Sequence, residues 1–129
     1  MNMHWLYVAL GGSLGAISRY AFMGAIGKRW GDAFPYATLA TNVIGSFVLG
    51  ALVALLARHL PPQQEEIRLF VAVGFLGAFT TFSTFSLDVM TLYQRGEWGA
   101  ACAYMLASVV VSVAALAAGL YLFRPVVAG

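Results

Sequence analysis

The sequence predicts an all-α integral membrane protein of four transmembrane helices, and three observations predict it. Of its 129 residues, 61% are hydrophobic and only 9% are charged, with a mean hydropathy of +0.83. A water-soluble domain of this size carries far more charge. Four apolar stretches, at about 4–26, 33–57, 68–94 and 97–123, each reach the ~20 residues that a helix needs to cross the hydrocarbon core. The connections are short, so one four-helix transmembrane domain fills the chain. Backbone groups in lipid must be satisfied internally, which makes such spans helices rather than isolated strands.

The first stretch is broken only by Arg19. Its start, "MNMHWLYVALGG", lacks a basic leader and a small-residue cleavage site, so it is expected to remain as a helix. Gly11 and Gly15 form a small-xxx-small pair that allows close helix approach. Arg19 is expensive inside a span: it either snorkels to the interface or faces a water-filled vestibule, where it attracts anions. The segment "GKRWGD" leads to the second stretch, which is uncharged from Ala33 to Ala57. There Thr38, Asn42 and Ser46 recur every four residues and share one helix face. Asn42 is either a helix–helix hydrogen bond or a donor lining a polar path.

After "RHLPPQQEEIR", where Pro61 and Pro62 stop the helix, the third stretch is uncharged from Leu69 to Leu87. It contains "GFLGAFTTFSTFS". Thr80, Thr81, Ser83 and Thr84 cannot share one helix face, and Gly74 and Gly77 precede them, so this helix is expected to break or tighten near its middle. Such a break is tolerated only inside protein or along a cavity, and its freed carbonyls can hold a small cation. Phe82 and Phe85 lie three apart. They are either packing rings or ring edges suited, beside hydroxyl and amide donors, to a small hard anion. The fourth stretch carries Tyr104, Ser108 and Ser112, again spaced by four.

Other chemistry is poorly supported. Net charge is +2, too small to suggest nucleic acid. The single Cys102 excludes an internal disulfide and a Cys-rich metal site. Asp88 is the one acidic residue near a span, and His4 and His59 sit near interfaces. No nucleophile–base pair is visible, so an enzyme is not expected. With four spans, Arg58, Arg68 and Arg124 fall on the side of the termini, and Lys28, Arg29 and Arg95 on the other. This balance leaves two readings: insertion in both orientations with antiparallel pairing, or one orientation decided by a weak bias.

Taken together, "GGSLGAISRY", "TLATNVIGSF" and above all "TTFSTF" resemble the Fluc (CrcB-type) family of fluoride channels. The resemblance covers nearly the whole chain. It implies a dual-topology antiparallel homodimer in the cell inner (plasma) membrane, exporting fluoride passively to lower its cytoplasmic concentration. It implies that Phe82 and Phe85 flank fluoride and that Asn42 donates to it. Tyr104, Ser108 and Ser112 would form a polar track, with Ser83 and Thr38 as further donors and Arg19 in the vestibule. Carbonyls of Gly77 and Thr80 from both subunits would hold a structural sodium ion. The sequence departs from the family pattern at Thr41, Ala78, Phe79 and Asp88. Two rivals are a small dual-topology multidrug transporter and a non-transporting membrane assembly subunit. The first would want a deep carboxylate, which no span holds.

Overall fold

A computed structural model describes residues 3–125. The described residues form α1 (His4–Trp30), α2 (Tyr36–His59) and a third unit built in pieces. That unit comprises α3 (Gln64–Ile67), a π-helical segment (Arg68–Leu76), α4 (Gly77–Phe79) and α5 (Phe82–Gln94). α6 (Trp98–Phe123) completes the chain.

Three of these are long and apolar enough to cross a membrane: Tyr36–His59, Gln64–Gln94 and Trp98–Phe123, with mean hydropathies of 2.1, 1.6 and 2.2. α1 is as long, at 27 residues, but its glycines, serines and Arg19 make it less apolar. The turns follow from local chemistry. Gly31 and Gly96 take φ of 79° and 78°, a region costly for other residues. α2 stops where Leu60 adopts a left-handed cap just before the two prolines.

Two helix pairs carry most of the packing: α2 against α6, and α1 against the π-helical segment and α4. Both pairs are glycine seams. A Cβ on Gly11 would run into the Phe70 carbonyl, and one on Gly15 into that of Phe75. On the other pair, a Cβ on Gly50 would strike the Leu116 carbonyl, and one on Gly119 would come within 2.7 Å of the Ala51 nitrogen. Helices in lipid gain by such close backbone contact, because lipid tails already solvate apolar side chains. Leu92, Ala101 and Tyr104 form a small buried core under Phe34 and Phe85. Many large apolar side chains elsewhere are exposed, among them Ile17, Val53, Leu106 and Val113. That is the surface expected of a protein solvated by lipid.

Candidate functional site

The third unit loses helical geometry at two residues. Thr80 (φ −82°, ψ 156°) and Thr81 (φ −149°, ψ 117°) are extended between α4 and α5. Thr80 closes α4: its N–H and its Oγ1 both donate to the Leu76 carbonyl, at 3.0 and 2.9 Å. Thr81 is buried and is held from across the bundle. Its N–H donates to Asn42 Oδ1 at 2.8 Å, while Asn42 Nδ2 donates to the Thr81 carbonyl at 3.0 Å. A side-chain amide offers the same donor and acceptor as a peptide group. Asn42 therefore pairs with Thr81 as a neighbouring strand would. The Thr81 Oγ1 accepts the Thr84 N–H at 3.1 Å, which caps α5, and lies 3.4 Å from Ser83 Oγ.

These bonds divert two donors. A continuous α-helix would send the Thr81 N–H to the Gly77 carbonyl and the Thr84 N–H to the Thr80 carbonyl. Here one goes to Asn42 Oδ1 and the other to Thr81 Oγ1. Gly77 and Thr80 thus keep carbonyls without the helical partner four residues on. Among the described residues no cluster of His, Cys, Asp and Glu could hold a metal ion. Backbone oxygens such as these two are the hard ligands a small cation would find instead.

An open cavity of about 400 Å³ lies beside the break. Asn42, Ser108 and Ser112 bring polar groups to its wall, and Phe82 and Phe85 bring rings. Gly77 and Thr80 line it as well. The two serines are informative. Buried hydroxyls on helices usually bond back to the carbonyl four residues earlier. Buried Thr41 does so here at 2.7 Å, as do the exposed Ser13, Ser86 and Thr91 at 2.8–3.0 Å. Ser108 Oγ and Ser112 Oγ are buried and have no hydrogen-bond partner among the described residues. Leaving such a group unsatisfied costs about 1–3 kcal/mol. A site that takes up a polar guest repays that cost when it is filled.

Replacing Ser108 by alanine tests that cost. We expect the thermal stability of the detergent-solubilised protein to hold or rise by about 1 kcal/mol. A clear drop in stability would mean that the hydroxyl serves the fold.

The rings are placed differently from one another. Phe85 is half-buried, its centroid 5.2 Å from that of Tyr104 and 5.5 Å from that of Phe82. Phe82 is 79% exposed and has Phe85 as its aromatic neighbour. Phe79 turns the other way and packs on Phe22 and Phe75. Tyr104, Thr38 and Ser83 do not line the cavity. The Tyr104 hydroxyl donates to Asp88 Oδ2 at 3.0 Å, and Tyr104 and Thr38 are both buried. Arg19 is half-buried on α1, apart from the cavity, with no hydrogen bond or ion pair among the described residues.

The structure also draws in residues to which sequence reasoning gave no site role. Ser46 lines the cavity one turn beyond Asn42, and its spacing already placed it on that face. Thr81 is the hub of the break, and Asp88 is the partner of Tyr104. Neither pairing has a signal in local spacing.

Comparison with known proteins now bears on this arrangement. Residues 6–120 match the profile described as CrcB-like protein, Camphor Resistance (CrcB). The chain belongs to the CrcB-like family. It is 52% identical to the fluoride-specific ion channel FluC of Chelativorans sp. (strain BNC1), over 95% of this chain and 98% of that one. It is 51% identical to the FluC of Rhodospirillum centenum (strain ATCC 51521 / SW), over 95% and 97% of the two chains. Against the FluC of Hahella chejuensis (strain KCTC 2396) identity is 46%, over 94% of each. These CrcB-like relatives are named as channels and not as enzymes. The Thr80–Thr81 interruption, the cavity and all but the outer ends of α1 and α6 fall within the matched residues.

Proposed function

We propose that this chain is a fluoride-selective channel that lets fluoride leave the cytoplasm passively and so lowers its concentration there. One observation carries the reading: Asn42, Phe82, Phe85, Ser108 and Ser112 meet around a single cavity, and two of their hydroxyls have no hydrogen-bond partner among the described residues. The relatives named as fluoride-specific channels support it.

Fluoride is small and strongly hydrated, so stripping its water is unfavourable unless protein donors replace it. Ser108 and Ser112 offer O–H donors one helical turn apart. Asn42 spends one amide N–H on Thr81 and has a second to offer the ion. Phe82 and Phe85 add positive ring edges without a fixed charge. Several weak sites in series favour passage over trapping. Tyr104, Thr38 and Ser83 extend the polar track beyond the cavity, and Arg19 adds positive potential at a vestibule.

In this reading two chains pair antiparallel in the inner membrane, consistent with the balanced basic residues on the two sides. The exposed Phe82 ring and the cavity wall then meet the second copy. Gly77 and Thr80 carbonyls from both subunits would hold one sodium ion, which would supply positive charge at the break. A proton-coupled multidrug transporter is disfavoured. Asp88, the carboxylate inside α5, is occupied by Tyr104 and sits outside the cavity.

The test is efflux from proteoliposomes loaded with potassium fluoride, read with a fluoride electrode. We expect efflux that depends on valinomycin and is absent with chloride. Asn42→Asp should suppress it, because a carboxylate repels an anion. Normal flux in that variant would remove Asn42 from the path. Uptake that required a proton gradient and carried no current would sink the channel reading.

A further inference from the structure

We infer that Asn42 is a positioning residue for the third unit: its amide takes the Thr81 peptide away from Gly77 and fixes it in place at the cavity. The inference rests on the channel reading only for its consequence, the cation at Gly77 and Thr80. The clamp itself rests on geometry. Asn42 makes two hydrogen bonds, of 2.8 and 3.0 Å, to one peptide 39 residues away, and that residue is extended while helix continues on either side.

The alternative state is easily described. Thr81 is four residues beyond Gly77, so its default acceptor is the Gly77 carbonyl. Closing the helix would satisfy that pair locally. Asn42 competes by satisfying both polar groups of Thr81 at once, in a buried place where an unpaired peptide is costly. Thr81 Oγ1 then captures the Thr84 N–H and starts α5 afresh. The consequence is that α2 governs the third unit. One side chain frees the Gly77 carbonyl and sets the start of α5, hence the placement of Phe82 and Phe85.

A residue that only touched the ion would leave Thr81 indifferent to its removal. The experiment therefore reads Thr81. In the full-length wild-type protein, hydrogen exchange resolved at the Thr81 amide should be slow, comparable with helical amides of α4 and α5. A freely exchanging Thr81 amide in the wild type would overturn the inference without any variant. Asn42→Leu removes donor and acceptor at nearly constant size and adds no charge. If the chain stays open in that variant, Thr81 exchange should quicken roughly tenfold. If instead the helix closes onto Gly77, the thermal stabilisation given by sodium over N-methylglucamine should disappear. General loosening of the fold would lower stability equally in both salts. Unchanged Thr81 exchange together with an unchanged sodium effect would refute the positioning role and leave Asn42 acting at the ion alone. A wild-type protein with a protected Thr81 amide but no fluoride flux would count against the channel reading and for the clamp. Absence of a sodium effect in the wild type would count against the sodium site, with Thr81 exchange still deciding the clamp.

Discussion

Replacing Phe85 by isoleucine is expected to lower fluoride efflux from proteoliposomes roughly tenfold, the effect of losing about 1.4 kcal/mol of stabilisation along the path. Isoleucine keeps the site apolar and removes the ring edge. Phe82→Ile should do the same to flux, and in both variants the oligomeric state should match wild type. The two should part company in stability. Phe85 lies over Tyr104 in the buried core, so its variant should also unfold at lower temperature. Phe82 is 79% exposed within the chain, so its variant should lose little in the fold of one subunit. If both variants conduct normally, the rings are packing residues and the anion passes elsewhere.

The second large effect concerns the fold. Gly50→Val should destabilise the protein by about 3 kcal/mol, the upper range for overpacking. A Cβ at Gly50 would strike the Leu116 carbonyl and come within 3.1 Å of the Leu120 nitrogen. Backbone cannot step aside as a side-chain tip can, so α2 and α6 must separate along their whole seam. Separation would also pull Asn42 from Ser108 and Ser112, which face one cavity from those two helices. Thermal unfolding and gel filtration in detergent would read the change. Wild-type stability in Gly50→Val would mean that the two helices do not pack so closely. Gly24→Val serves as a control, since nothing lies within 4 Å of a Cβ there.

The four helical units were legible in the sequence because length and apolarity suffice to mark a helix in lipid. The stripe of Asn42 and Ser46, and that of Ser108 and Ser112, were also legible, since four-residue spacing fixes a face. What those faces meet was not legible. Asn42 finds Thr81 through 39 residues of intervening chain. Tyr104 belonged to the same stripe as the serines, yet its hydroxyl goes to Asp88 and away from the cavity. The stripe gave direction but not surroundings: Tyr104 lies under Phe34 and Phe85, while Ser108 and Ser112, their hydroxyls also buried, line the cavity. The π-helical stretch left no trace in composition, because Arg68 and the eight apolar residues after it read the same in either helical form.

That stretch sets a rule for how the chain can change in length. A π turn holds one residue more than an α turn. Gly11 and Gly15, four apart on α1, meet the carbonyls of Phe70 and Phe75, five apart on the facing segment. A single-residue deletion between Phe70 and Phe75 would let that segment relax to ordinary α-helix and still present a carbonyl to each glycine. The same deletion in α2 between Asn42 and Gly50 would rotate one functional face off the cavity or the other off its seam. Tolerance of deletion should therefore be concentrated in Arg68–Leu76 and absent one helix away.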